Sequence, residues 1–327
     1  MGACKCRIDT RFLQRNSLDG CISPLAITAI TGATVTMNNT LKAALWMLAA
    51  IASFTSMAVA GRAVSGDLDT FEIMLFRSLT GIVIVLVVAS VTGNLGQIGR
   101  NKLGLHMLRN ICHFTGQNLW FFAIATIPLA QVFALEFTTP IWVILLAPLI
   151  LREKMTAVGM FSALLGFVGV LIVTRPDTAV MSPGLIAGAI CAIFFALSAI
   201  FTRKLTLTEP ITVIMFYLTV TQAVFGLICA GYDGDITLPT GTTIPLIILI
   251  GFAGLFAHFC LTTALSIAPL NVVMPFDFFR LPTIAVVGMI WFDEPIQMMV
   301  FAGAALIFGA NYLNISYGSA KRGHVHK

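Results

Sequence analysis

The chain repeats itself at a fixed offset of 141 residues. Residues 42–174 slide onto 183–315 without a gap. Arg62 falls on Arg203, Ile73-Met74 on Ile214-Met215, Pro128-Leu129 on Pro269-Leu270, Glu136-Phe137 on Asp277-Phe278 and Glu153 on Glu294. Each copy holds five hydrophobic segments. Five crossings are an odd number, so the second copy must enter a membrane upside down relative to the first. Inverted repeats of this kind build many secondary transporters and place the substrate site between the halves, near the bilayer midplane. The expected fold is an all-α polytopic membrane protein of ten transmembrane helices, arranged as two inverted five-helix repeats.

Composition agrees with a membrane environment. Apolar residues make up 58% of the chain and charged residues 10%, where a soluble domain carries about 25% charged residues. The spans are expected at 42–61, 71–92, 103–126, 128–151, 155–174, 183–202, 211–231, 244–267, 269–292 and 296–316. Each is long enough to cross a hydrocarbon core of about 30 Å as a helix. Residues 1–41 read as a flexible cytoplasmic N-terminal extension, with Met37 as an alternative start, and 317–327 as a basic cytoplasmic tail. With both termini in the cytoplasm, fourteen Lys and Arg fall in cytoplasmic segments, against only Arg62 and Arg175 outside. That asymmetry places a multi-pass protein in the inner membrane with both ends inside. The net charge of +5 is topogenic, so no nucleic-acid partner is expected. Of the seven cysteines, Cys112, Cys191, Cys229 and Cys260 lie in hydrophobic segments as small apolar fillers, and neither a disulfide framework nor a zinc site is indicated.

Ionisable residues inside spans carry the chemical information. A charge at bilayer depth costs several kcal/mol and persists only with a partner or a wet cavity. Glu136 and Asp277 each follow a proline by eight residues, about 12 Å along a helix, which is close to mid-membrane. The functional reading is a cavity flanked by two carboxylates that bind a polar substrate group or carry a proton. The structural reading is neutralisation, with Asp277 and Arg280 paired at i, i+3 and Glu136 paired with Arg77 or Arg109. His113, Gln117, His258 and Asn271 are further candidates for lining polar groups, as is Asn118; Gln117 and His258 coincide across the offset. Phe114, Trp120, Phe121, Phe133, Phe137, Phe276, Phe278 and Phe279 could stack on a flat substrate or simply pack. Pro140, Pro148, Pro275 and Pro282 are expected to break or kink the two spans that hold Glu136 and Asp277. Small-residue pairs Gly159/Ala163, Ser162/Gly166 and Ala305/Gly309 read as close helix packing. No phosphate-binding glycine loop or nucleophile–base set is visible, so neither an enzyme nor a cofactor or metal site is expected.

Two five-span units, the segment "PLILREKMT" with its counterpart "GMIWFDEPIQ", and the stretch from Leu108 to Ile150 resemble the drug/metabolite transporter superfamily in its EamA branch. Glu153 and Glu294 fit the acidic residue with which that family closes its fourth span in each unit. The resemblance covers about residues 42–316 and implies a central cavity with alternating access without ATP. It also implies a small-molecule substrate, and its look is most like the importers of riboflavin and S-adenosylmethionine. An amino-acid or drug exporter of the same fold, and a non-transporting scaffold or sensor, are the alternatives. Membrane lipid is the expected surrounding partner, and homodimerisation stays open.

Overall fold

The computed structural model describes residues 24–99, 101–151, 157–174, 182–232, 234–268, 273, 276–277 and 279–325. Among them the ordered elements are helical. They are α1 (Pro24–Val64), α2 (Thr70–Val91), a 3-10 turn at Leu95–Gln97, α3 (Leu103–Thr126), α4 (Leu129–Glu136), α5 (Thr139–Leu151), α6 (Ala157–Thr174), α7 (Pro183–Thr206), α8 (Ile211–Ala230), α9 (Thr243–Ile267), α10 (Arg280–Phe292) and α11 (Met298–Val325). Asn271, Glu153, Pro269, Pro275 and Phe278 lie outside the described residues, as do Cys4, Cys6 and Cys21.

Seven segments are long and apolar enough to cross a membrane: Asn39–Val64, Thr70–Val91, Leu129–Ile150, Pro183–Thr206, Ile211–Ala230, Thr243–Ala264 and Met298–Tyr317. The chain is therefore a multi-pass membrane protein. Two shorter apolar helices cover Ala157–Val173 and Arg280–Phe292. α3 has 24 residues, about 36 Å of helix, but its inward polar side chains lower its hydropathy.

Local signals explain the helix starts. Asp69 caps α2 by accepting from the Glu72 N–H at 2.8 Å, while Glu72 accepts from the Asp69 N–H at 2.9 Å, a reciprocal capping box. The other oxygen of Glu72 accepts from the Thr237 N–H at 2.5 Å, which ties α2 to the segment before α9. Ser182 caps α7 ahead of Pro183 at its first turn. α10 ends at Asp293 in the left-handed region, φ 53°. At the chain ends the helices outrun the expected spans: α1 begins at Pro24 and α11 continues to Val325. Neither stretch contains an internal proline to stop it.

The helices pack in pairs, α1 on α9, α3 on α7, α2 on α8 and α6 on α11. The core between them is aromatic and aliphatic, with Phe121, Phe133, Met74, Ile124 and Leu135 fully buried. Outward faces carry exposed Val87, Val91, Leu164, Leu171, Leu227, Ile228 and Phe252, the apolar surface that a bilayer accepts. α9 passes close to α2 at two glycines. A Cβ on Gly251 would stand 2.7 Å from Thr80, and one on Gly254 would stand 3.1 Å from an Arg77 guanidinium nitrogen.

The seam between α6 and α11 differs in one respect from the small-residue pattern. Gly159, Ser162, Ala163 and Gly166 are buried as expected, but Ala305 and Gly309 are exposed, and a Cβ on Gly309 would meet nothing within 4 Å. The backbones touch instead at Gly169 and Gly303, where an added Cβ would lie 2.7 Å and 2.6 Å from the opposing carbonyl oxygen. Gly303→Val should therefore lower thermal stability in detergent by about 1–3 kcal/mol through overpacking. Gly309→Ala should lower it not at all.

Candidate functional site

The span that holds Glu136 is broken at the carboxylate. α4 ends at Glu136, Phe137 and Thr138 form a turn, and α5 starts at Thr139 beside Pro140. A second interruption sits 141 residues later, where α10 starts at Arg280 after a turn at Phe279. Pro140 and Pro282 both fall in the first turn of the helix after the break, where a missing N–H is tolerated. Breaks leave backbone groups without helical partners. Here Asn311 of α11 donates to the Phe137 carbonyl at 3.0 Å, and the Thr138 hydroxyl donates to the Leu135 carbonyl at 2.6 Å.

Arg280 ties the two broken segments together. One guanidinium nitrogen lies 3.1 Å from Glu136 Oε1 and 3.7 Å from Asp277 Oδ2. The local i, i+3 pair is thus the looser of the two, and the partner of Glu136 is Arg280 rather than Arg77 or Arg109. The other oxygen of Glu136 accepts from the Trp120 indole N–H at 2.9 Å. Three rings enclose the guanidinium, those of Phe54, Phe137 and Phe133, with centroids at 4.8, 5.0 and 5.2 Å. Such contacts stabilise a desolvated cation by up to about 2 kcal/mol each.

These groups line one cavity of about 550 Å³, within the roughly 300–1,000 Å³ typical of small-molecule sites. Arg109, His113, Gln117, Trp120, Glu136, His258, Asp277 and Arg280 all contribute to its wall. Four of them form a ladder on one face of α3, at spacings of 4, 4 and 3 residues, the repeat that aligns side chains on a helix. His113 Nδ1 lies 2.6 Å from the Gln222 side-chain nitrogen, and its ring centroid is 6.4 Å from that of His258. Arg77 stands behind the wall, donating to the Gln117 side-chain oxygen. Asn118 turns away and donates to the Phe114 carbonyl of its own helix at 2.8 Å.

Several neighbours were not singled out by sequence. Phe54 stands edge-on to His258 at 5.6 Å, and Phe195 lies 6.0 Å from His113. The two phenylalanines are themselves 141 residues apart, so the internal offset contained the signal. Thr202 and Asn311 had no such marker. Of the aromatics near Asp277, Phe276 packs with Ala43 and Met47, and Phe279 is exposed.

A second ion pair, outside the cavity wall, joins α1 to the α10–α11 turn. Arg62 meets Glu294 at 3.0 Å and donates to the carbonyls of Ile124 and Ile127. Glu294 in turn accepts from the Leu129 N–H at 2.8 Å, capping the short helix α4 from another part of the chain. The expected role of Glu294 as a simple span end is therefore too small. It holds α1, α4 and the α10–α11 turn together.

The first half of the chain, residues 41–175, matches the model of the EamA-like transporter family. A riboflavin transporter of Brucella anthropi is 32% identical over 64% of this chain and 76% of its own length. The chain belongs to the EamA-like transporter family. An S-adenosylmethionine uptake transporter of Rickettsia felis is 24% identical to this EamA-like protein, over 87% of the chain and 97% of the relative. A protein of known crystal structure shares its fold, with a TM-score of 0.59 at 16% identity over 83% of this chain and 96% of the other.

Removing the shared cation tests the geometry of the cluster. Arg280→Ala leaves two carboxylates facing each other, and stability measured by thermal unfolding in detergent should fall by about 3 kcal/mol or more. Combining it with Glu136→Gln should recover most of that loss.

Proposed function

We propose that this EamA-like transporter is a secondary importer that carries a small, flat, polar metabolite of the riboflavin or S-adenosylmethionine kind across the inner membrane by alternating access. The observation that carries the reading is the single cavity in which Glu136, Arg280 and Asp277 meet at two helix breaks, walled by Phe54 and Phe137. Aromatic faces suit a planar ring, and the charged cluster suits polar substituents. Among the relatives compared above, one is called a riboflavin transporter and another an S-adenosylmethionine uptake transporter. A shared cavity also argues against a non-transporting scaffold, which needs none.

On this reading there are ten spans: the seven apolar segments, α3, α6, and α10 with the residues ahead of it. Helix pairing supports an inverted two-fold relation. The offset of 141 maps α1 onto α7 and α3 onto α9, and the pairs α1–α9 and α3–α7 exchange under it. It maps α2 onto α8 and α6 onto α11, and each of those pairs exchanges with itself. The cavity reaches Thr206 and Ile211 at the α7–α8 connection, beside Arg203 and Lys204, the side that positive charge assigns to the cytoplasm. The position of that connection supports an inward-facing reading of the cavity. On this reading the Arg62–Glu294 ion pair, outside the cavity wall, belongs to the closed side.

The decisive measurement is uptake of radiolabelled riboflavin and S-adenosylmethionine by cells that can neither make nor import them. Cells expressing the chain should accumulate one compound. Glu136→Gln and Asp277→Asn should each cut that uptake at least tenfold, about 1.4 kcal/mol of lost binding or transition-state energy, at unchanged membrane abundance. Uptake unaltered in both variants would remove the carboxylates from the site.

A further inference from the structure

The cations of the cavity are not treated alike. Arg280 has two carboxylates within 4 Å. Arg109 and Arg77 have none among the described residues. Arg109 donates through Nε to the Thr202 hydroxyl at 3.0 Å and through one terminal nitrogen to the Asn110 side-chain oxygen at 3.0 Å. Arg77 donates to Gln117 and lies 3.6 Å from the Met74 sulfur. All of these acceptors are neutral. The residue Arg109 is only 5% exposed, yet it lines the cavity. A guanidinium kept from water at bilayer depth without a counter-charge is costly, and its planar fork matches a carboxylate or a phosphate in bidentate geometry.

Placement along α3 separates this group from the Arg280 cluster. Arg109 precedes Trp120, the donor to Glu136, by 11 residues, roughly 16 Å of helix axis. His113 and Gln117 line the interval. Glu136, Asp277 and Arg280 together carry a net negative charge at one end, and Arg109 a positive one at the other. Thr202 and Asn110 fix the orientation of the Arg109 fork from two other directions, so the group is positioned before any ligand arrives.

We propose that Arg109 is an anion subsite of the cavity, which takes the carboxylate or phosphate of a soluble metabolite whose other end lies at the Glu136–Arg280–Asp277 cluster. The subsite rests on the transport reading for its purpose, but anion binding is measurable without transport. Arg77 holds Gln117, in the interval between the two ends.

The test is thermal stabilisation of the purified full-length protein by two matched pairs: S-adenosylmethionine against its decarboxylated form, and riboflavin 5′-phosphate against riboflavin. The member that carries the carboxylate or phosphate should bind about tenfold more tightly than its partner in at least one pair. Arg109→Gln should abolish that preference, and Arg109→Lys should restore part of it. The same preference in wild type and Arg109→Gln, or no stabilisation by either member that carries a carboxylate or phosphate, overturns the subsite. Inorganic phosphate and phosphatidylglycerol are run alongside; an equal Arg109-dependent response to either would make the site one for free phosphate or lipid headgroup and overturn the metabolite assignment. Arg109-dependent binding in a protein that takes up neither radiolabelled compound would keep the subsite and reject the importer reading. Uptake that is insensitive to Arg109→Gln would do the reverse.

Discussion

The structure turns on a positive charge that has to be matched away from water. Arg280 sits among three phenylalanine rings and reaches two carboxylates, one three residues before it and one on a segment 144 residues earlier. The interruptions after Glu136 and before Arg280 let the chain present acid and base across a gap. The backbone groups released at the first break are then taken up by Asn311 and Thr138. Charge matching, helix breaking and the polar caps around the break thus form one interdependent unit, and the cavity is the space it keeps open.

A second ion pair, outside the cavity wall, is organised by the same physics with different parts. Arg62 is satisfied by Glu294 and by two carbonyls at the end of α3, while Glu294 also caps α4. α4 has eight residues, too few to be stable alone, so its position depends on what holds its ends. One end is held by Glu294 and the other by Arg280 through Glu136. A displacement at either ion pair is therefore felt by the other through a helix about 12 Å long.

Much of this was readable in the amino-acid order. The bounds of α3 coincide with the expected 103–126 because Lys102 and Pro128 frame it sharply. The residues that line the cavity were legible too, since charged and amide side chains in apolar surroundings stand out. Their pairing was not. Sequence suggests ion pairs between near neighbours, and the tightest contact of Arg280 joins positions 144 residues apart. Glu294 looked like a boundary acid because a sequence shows that it precedes a proline, not that it meets the N-terminus of α4. The α6–α11 seam was misplaced by a fraction of a turn, since Ala305 and Gly309 share a helical row that points away from α6 while Gly303 points toward it.

The polarity of α3 bears on how the protein is made. His106, Arg109, Asn110, His113, Gln117 and Asn118 are all buried on this one helix, and an arginine alone costs about 2.5–3.5 kcal/mol at the centre of an inserting segment. α3 packs chiefly against α7, which begins 80 residues after α3 does. At a synthesis rate of about 5–20 residues per second, that partner emerges from the ribosome roughly 4–16 s later. During that interval α3 is a poor candidate for release into lipid. On the ten-span reading proposed above, its residence in the membrane would depend on retention beside the insertion machinery, or beside α1 and α2, until the second half of the chain arrives to cover its polar face.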